Sequence, residues 1–474
     1  MNHTTNLRRA TRALSAASAV ALAAVPAACR SYERSPLTLD VHALSLEVRE
    51  ASSPEVAEFA RSLAAAPVAG PFDASDGLSC REAELVALVY NAALREARLE
   101  AGVLAAGLPH AGKWDDPALE LELSKILDAS PWEAMGGFSL TLPVSGRLAF
   151  ERERLGAEHA ASLARLAAAE WSVRMEVRRA LAEVAAADAR VVASRAFVAR
   201  VDEVSRIVAL MEEKGELART EARLFAIERG LALAELAELE ADAEHARMAV
   251  GRLLGLLKVP ALDAAGFGSL ASSAAPETND PSRSPVVAVA VSDYEVAERA
   301  LALEMRRQYP DLVLGPSYGE EDDDRQFRLG LSLPIPVFNA NARAIAEAEA
   351  AREVARARAE SAVERFMHDA REFAAHVHHA AERRERFERD IVPLGDAQDA
   401  DIRRIVALGG EVPALVVLES IKRQHDAKLE LIASRREEAA ARIALDELVG
   451  EPPAAPADTP NAIPPLADPR EAKP

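Results

Sequence analysis

The residues with the clearest capacity for chemistry lie in a histidine-rich stretch, FMHDAREFAAHVHHAAE, at residues 366–382. His368, Glu372, His376 and His379 are spaced by four, four and three residues, so a helix would carry all four on one face. Imidazole and carboxylate groups are ligands for divalent metals such as zinc and copper. The same residues are typical of the solvent-exposed polar face of a long helix, which is the interpretation we favour. We therefore predict no metal site and no cofactor, and keep the three histidines as weak metal candidates.

Two short stretches combine glycine with glutamate between long polar segments, MEEKGELA at 211–218 and LGGEVPAL at 408–415. Glycine lets a chain reverse sharply, which predicts turns at Gly215 and at Gly409 and Gly410. Glu216 and Glu411 place a carboxylate in each turn. A ring of such carboxylates at a constriction would select cations, although a solvated acidic turn is the simpler interpretation.

No motif in the chain indicates an enzyme. The sequence contains no HExxH, no nucleophile elbow and no nucleotide-binding glycine loop. The glycine-containing segment GRLLGLLKVPALDAAGFG, residues 251–268, lacks the strand before it and the GxGxxG spacing that a dinucleotide site needs. The formal net charge of -20 makes nucleic acid an improbable partner.

The elements that must position these residues are mostly long helices. Half of the residues are hydrophobic but only 4% are aromatic, and Ala, Leu, Glu and Arg dominate. Helices are predicted at about 146–212 and 341–407, each roughly 100 Å long at 1.5 Å per residue. Apolar residues at three- and four-residue spacing predict a coiled-coil-like seam in the first of these helices. They are Val177, Leu181, Val184, Val191, Val198, Val201, Val204 and Val208.

Short strands precede each long helix. Alternating residues predict strands at about 117–126 and 310–318, each followed by a loop and a second strand. Leu119, Leu121 and Leu123 alternate with polar residues, and the run from Phe327 to Ile335 does the same. This alternation is typical of membrane barrels, and of half-buried hairpins in soluble domains. Pro143, Pro334 and Pro336 mark the junctions where strand gives way to helix.

The chain contains an internal duplication of about 195 residues. LTLP at residue 140 matches LSLP at 331, and ARMAVGRLLG at 246 matches ARIALDELVG at 441. We predict a first repeat over 79–255, beginning with a helix at 79–107, and a second over 292–450. Gly255 and Gly450 would end the return helices. The remaining segments are an N-terminal linker at 29–78, an inter-repeat linker at 256–291 and a disordered Pro-rich tail at 451–474.

The first 28 residues are typical of an export signal. Arg8, Arg9 and Arg12 precede an apolar run that ends in small residues. The sequence VPAAC, ending at Cys29, resembles a lipobox, which predicts lipidation of Cys29. An ordinary signal cleaved nearby is the alternative. Because Arg30 rather than Asp follows, the lipoprotein sorting pattern favours the outer membrane.

The duplicated order of strand, loop, strand, long helix, glycine turn and helix resembles the TolC-type outer membrane efflux protein family. The motif LSLPIPVFNANARAIAEAEA and the terminal L-x-G carry this resemblance, which covers about residues 80–450. The lipobox places the chain nearest the lipoprotein members, and the resemblance extends to the cobalt–zinc–cadmium efflux outer proteins.

The resemblance implies a homotrimer in which four strands per chain build a twelve-stranded transmembrane β-barrel. The long antiparallel helices would continue it as an α-barrel in the periplasm. The implied function is passive export of small molecules or metal ions, with a periplasmic adaptor and an inner-membrane transporter as partners. The turns at Gly215 and at Gly409 and Gly410 would be the periplasmic tips. A periplasmic coiled-coil scaffold or an adaptor lipoprotein is the alternative, although the Gly-rich β region of adaptors is missing.

Overall fold

The computed structural model describes residues 31–63, 72–124, 133–262, 280–321, 324–408 and 411–450. Residues 31–48 belong to a first unit, with a short helix α1 over Leu39–Glu47. The second unit begins at Arg49 and holds long helices and a four-stranded sheet. The mainly helical class with a small sheet, predicted from the sequence, is confirmed.

Both halves of the second unit follow the order helix, two strands, long helical segment and return helix, but they divide it differently. Among the described residues, the first half has three helices before its strands, and the second divides its long helical segment in two. The first contains α2 (Pro54–Leu63), α3 (Cys80–Tyr90), α4 (Ala92–Gly107), β1 (Ala118–Ser124), β2 (Glu133–Leu142), α5 (Arg147–Glu213) and α6 (Arg219–Leu254). The second contains α7 (Pro285–Arg307), β3 (Leu312–Glu321), β4 (Asp324–Ser332), α8 (Ala342–Arg386), α9 (Val392–Ala407) and α10 (Ala414–Val449).

The two long helices differ in continuity. Helix α5 runs for 67 residues, and all eight residues of its predicted apolar seam are buried. The corresponding helix of the second half is interrupted by a π-helical turn at Phe387–Ile391, between α8 and α9. Pro393 follows that turn, and a proline cannot donate the hydrogen bond that the preceding helical turn requires. The wider turn accommodates this missing donor.

The helix predicted at 79–107 is in fact two helices that meet at Asn91. The Asn91 backbone leaves the helical region, with φ −59° and ψ 128°, and its side-chain oxygen accepts a hydrogen bond from Leu94 N at 3.2 Å. Its Nδ2 donates to Leu253 O at 3.0 Å, far along the chain. The break therefore depends on a tertiary contact as well as on a helix cap.

Two predicted linkers contain further helix. Helix α7 begins at Pro285, seven residues before the predicted start, because Pro is well suited to the first helical turn. Helix α2 lies within the predicted N-terminal linker, where Val56 and Phe59 are buried in a hydrophobic cluster with α3 and α5. Burial of these side chains explains why the segment is ordered.

The four strands form one antiparallel sheet in the order β1-β2-β3-β4. The long helices pack beside one another, α5 against α6, α7 and α10, and α8 against α7 and α10. Within the residues described, we find no helix both apolar and long enough to span a lipid bilayer.

Candidate functional site

One face of the sheet is apolar on all four strands. The register pairs Leu119 with Phe138, Leu140 with Leu314 and Leu314 with Leu331, and paired residues share a face. Leu119, Leu121, Phe327, Leu329 and Leu331 are each 66–70% exposed. This apolar face consists of Leu119, Leu121, Gly136, Phe138, Leu140, Leu142, Leu312, Leu314, Pro316, Tyr318, Phe327, Leu329 and Leu331. The predicted alternation is confirmed for Leu119 and Leu121 and from Phe327 to Leu331, whereas Leu333 and Ile335 lie beyond the end of β4.

The opposite face carries mainly small and polar residues, with Met135 and Val313 as the exceptions. The polar face consists of Ala118, Glu120, Glu122, Met135, Gly137, Ser139, Thr141, Val313, Gly315, Ser317, Gly319, Gln326, Arg328, Gly330 and Ser332. A Cβ on Gly137 would lie 2.8 Å from the Ser317 Cβ, and Gly315 pairs directly with Gly330. At these glycines the polar face has no side chains to pack.

Strands β1 and β4 stand at the two ends of the strand order, so each has one edge without a partner strand among the described residues. An open edge beside an exposed apolar face favours association. Exposed apolar surface that continues across several strands is typical of a site for a membrane or another protein chain.

The two strand-to-helix junctions use the same local geometry. Val144 N donates to Leu142 O at 2.8 Å across Pro143, and Val337 N donates to Ile335 O at 2.9 Å across Pro336. Pro336 is therefore the structural counterpart of Pro143. Pro334 lies two residues beyond the end of β4, in the irregular segment between strand and helix.

Each junction then enters its long helix through a left-handed residue. Gly146 has φ 75° before α5, and Asn341 has φ 57° before α8, at an offset of 195 residues. Asn341 is further held by hydrogen bonds from its Nδ2 to Glu304 O and Oε2, at 2.9 and 2.8 Å. The duplication is thus visible at the level of single backbone angles.

Arg147, the first residue of α5, forms ion pairs with three carboxylates at the first junction. Its guanidinium donates to Asp311 at 2.7 Å, to Asp115 at 2.7 Å and to Glu151 at 2.9 Å. Asp311 lies just before β3, and Asp115 lies just before β1. One arginine therefore fixes the approach of two strands to the start of the long helix.

The turn between α5 and α6 is a Schellman motif. Glu216 N donates to Met211 O at 2.9 Å, and Gly215 N donates to Glu212 O at 3.0 Å. Gly215 has φ 76°, and Glu213 and Glu216 are exposed. The predicted reversal at Gly215 is therefore present.

The turn between α9 and α10 is described on both sides of Gly409 and Gly410, which themselves lie outside the described residues. Glu411 is exposed, and Val412 is half-buried. Pro413 then precedes α10. Cys29 also lies outside the described residues, so its lipidation stays a prediction.

The structure brings the two turns together around one hydrophobic cluster. We call this the tip cluster; Leu217 and Val412, one from each turn, pack against it. An ion pair between Lys422 and Glu228, at 2.8 Å, joins α10 to α6. The buried core of the tip cluster is Phe197, Val198, Val201, Val204, Val208, Phe225, Ala232, Ile402, Val417, Leu418 and Ile421.

His425 lies beside the tip cluster and was missed by the sequence analysis. It is 6% exposed, and its ring stacks on Phe197 with centroids 4.2 Å apart and planes 5° apart. Its buried Nε2 has no hydrogen-bond partner among the described residues. Burial lowers the pKa of His425 below the ordinary value of 6.5, so the ring is neutral at pH 7. The sequence around His425 does not distinguish a histidine buried against Phe197 from one exposed on a polar helix.

The histidine-rich stretch lies on the surface of α8. His376 Nε2 is 3.7 Å from Glu437, and His378 and His379 contact Glu382 at 3.3 and 3.6 Å. His368 is exposed on the same helix. Across the described segments, no three His, Cys, Asp or Glu side chains are arranged to hold a metal ion.

Comparison with known proteins gives matches at the level of structure. No model of a protein family matches the chain, and no curated protein matches it. The outer membrane protein VceC from Vibrio cholerae has a TM-score of 0.65 and 16% identity, covering 78% of this chain and 96% of that one. The outer-membrane channel OprN has a TM-score of 0.63 and 16% identity, covering 89% and 98%. The MtrE outer membrane channel of Neisseria gonorrhoeae has a TM-score of 0.61 and 16% identity, covering 78% and 89%.

Proposed function

Because the chain has the fold of the TolC-type outer membrane efflux proteins, we propose that it is the outer membrane channel of a tripartite efflux pump. It would act as a passive duct for small molecules or metal ions, without catalysis. The observation that carries this proposal is the four-stranded sheet, whose apolar face is exposed on every strand while its polar face is rich in glycine and serine.

The assembly that fits this sheet is a homotrimer. Four strands are too few to enclose a pore. Three copies supply twelve strands, with the open edge of β4 pairing with β1 of the next copy. The apolar face would then meet lipid and the polar face would line the lumen, the alternation that membrane barrels use.

The helices would continue the duct into the periplasm. Helix α5 has 67 residues, which corresponds to a length of roughly 100 Å. The tip cluster joins both glycine turns at the end of the helices remote from the strands. Gly215, Glu216, Gly409, Gly410 and Glu411 would there meet a periplasmic adaptor, which links the duct to an inner-membrane transporter.

A lipid anchor at Cys29 would add a second attachment to the outer membrane. We expect Cys29→Ser to abolish incorporation of labelled palmitate and to leave the channel otherwise competent. Wild-type protein that takes up no acyl label while fractionating fully with the outer membrane would remove the anchor from the proposal, and the channel would stand.

Substitution on the two faces of β4 tests the channel itself. Leu331→Arg places a charge on the apolar face, at a cost that rises from about 0–1 kcal/mol near the bilayer surface to about 2–4 kcal/mol at the midplane. We expect it to depress outer membrane assembly, measured as trimer that resists dissociation in cold detergent gels. Ser332→Arg is the matched control, because the neighbouring side chain points to the polar face and should be tolerated.

Purified wild-type protein should also conduct ions in a planar bilayer. Equal loss of assembly in the two arginine variants, or wild-type protein that stays soluble and never conducts, would refute the channel proposal. The second outcome would favour a periplasmic helical scaffold instead.

A further inference from the structure

An open groove lies at the first strand-to-helix junction, next to the apolar face of the sheet. Its volume is about 420 Å³, and six of its lining residues are Trp114, Leu142, Pro143, Val144, Leu148 and Arg152. Leu142 belongs to both the groove and the apolar face, so the two surfaces are continuous. Trp114 is 58% exposed and Val144 is 64% exposed.

Arg152 supplies a positive charge at this groove. Its Nε donates to Leu148 O at 3.3 Å, and the guanidinium forms no ion pair with any described residue. Its neighbours on α5 differ, since Arg147 binds three carboxylates and Arg154 binds Glu158 at 2.9 Å. In a chain of net charge -20, a guanidinium without a carboxylate partner is an available anion contact.

The loop before β1 fixes the position of this arginine. Gly112 has φ 60°, and a Cβ there would lie 2.2 Å from Leu148 O and 2.8 Å from Arg152 Nε. The loop backbone is therefore packed directly against the Arg152 side chain. Close packing of this kind holds a long side chain in place before any ligand arrives.

A second cation lies on the same loop. Lys113 is exposed, forms no ion pair with a described residue, and contacts His110 Nδ1 through its Nζ at 3.0 Å. Lys113 follows Gly112, whose backbone packs against Arg152, and like Asp115 and Asp116 it does not itself line the groove. Asp115 pairs with Arg147. An apolar trough with Arg152 in its wall and Lys113 on the adjoining loop matches an acyl chain attached to a phosphate.

We propose that this groove binds one glycerophospholipid. Trp114, Leu142 and Val144 would hold an acyl chain, while Arg152 and Lys113 bind the phosphate diester. The inference rests on the proposed function, which places the junction at the boundary between bilayer and periplasm. Exposed tryptophan and arginine suit that boundary, because each combines an apolar body with a polar end.

Fluorescence quenching of Trp114 tests the site. Trp132→Phe and Trp171→Phe leave Trp114 as the only tryptophan of the three in the chain. Titrating this protein in detergent with a phospholipid brominated on its acyl chains should give saturable quenching. Loss of a charge-assisted contact in the Arg152→Gln, Lys113→Gln double variant should weaken the apparent affinity about tenfold.

Three controls make the result specific. Arg154→Gln removes a paired arginine outside the groove and should change nothing, while Arg152→Lys keeps the charge and should retain most of the affinity. Brominated diacylglycerol, which lacks the phosphate, should quench weakly and without dependence on Arg152. Inorganic phosphate should compete only at high concentration, because it lacks the chain.

Equal quenching by diacylglycerol and phospholipid, or an unchanged affinity in the double variant, would overturn the lipid site. Tight binding of inorganic phosphate without quenching by the lipid would also overturn it, leaving an anion site only. Failure of the lipid site is distinguishable from failure of the channel. A protein that conducts in a planar bilayer but shows no phosphate-dependent quenching loses only the lipid site.

Discussion

At the scale of single residues, His425 is the group whose ionisation should affect the packing of the hairpin turns. Its ring stacks on Phe197 of α5. Burial is the largest influence on its pKa, while Glu235 and Asp426 favour its protonation and Lys428 opposes it. Burial lowers the pKa of His425 in the folded protein. As the pH falls through the unfolded value of about 6.5, this histidine therefore binds a proton in the unfolded chain before it does so in the folded protein. The folded state is therefore fully stabilised above that pH and loses stability below it.

We expect the melting temperature of the wild type to fall more between pH 7.5 and 5.5 than that of His425→Phe. Phenylalanine preserves the stack on Phe197 and cannot be protonated. The comparison isolates this side chain from the many carboxylates of the molecule, which are common to both proteins. Identical pH dependence in the two proteins would show that His425 does not titrate in this range.

At the scale of elements, the reversal after α5 depends on Gly215. Its φ is 76°, and a Cβ there would meet no atom within 4 Å, so a substitution is resisted by backbone strain alone. Gly215→Ala should lower the free energy of unfolding by about 1 kcal/mol, and Gly215→Val by more, because a β-branched residue tolerates this region poorly. Chemical denaturation of the purified variants measures both.

Gly230 is the matched control for this turn. It lies inside α6, and a Cβ there would also meet nothing within 4 Å. Gly230→Ala should therefore stabilise the helix by up to about 1 kcal/mol, the opposite sign. If both alanine variants change stability in the same direction, left-handed backbone at Gly215 is not what the turn requires.

At the scale of the whole molecule, a trimer would gather six acidic turns around one axis. Glu216 and Glu411 would concentrate negative potential at the narrow end of the duct. The double variant Glu216→Gln, Glu411→Gln should assemble normally and conduct with a lower preference for cations over anions. The reversal potential in a planar bilayer under a salt gradient reports this preference.

Glu244→Gln provides the comparison, because it removes an exposed carboxylate near the other end of α6. It should leave the reversal potential unchanged. If the double variant keeps the same preference for cations over anions, these carboxylates do not line the constriction. The channel proposal would still hold.

The sequence by itself determined the elements whose signal is local. Helix periodicity gave the seam from Val177 to Val208, and strand alternation gave the apolar positions of β1 and β4. Glycine chemistry located the turn at Gly215. Each of these follows from the 3.6- and 2-residue periods, or from a backbone angle that one residue type prefers. The predicted long helices, beginning at about 146 and 341, likewise differ by the repeat offset of 195.

Only the tertiary structure decided which distant segments meet. The break at Asn91 depends on Leu253 O, and the register of β2 with β3 aligns the apolar residues of both halves on one face. Periodicity placed the histidines of α8 on one side of a helix, but it could not say that this side faces solvent. Periodicity also could not predict that His425 is buried against Phe197. Packing between distant segments, from Asn91 with Leu253 to Phe197 with His425, fixes these outcomes, and no local sequence pattern predicts it.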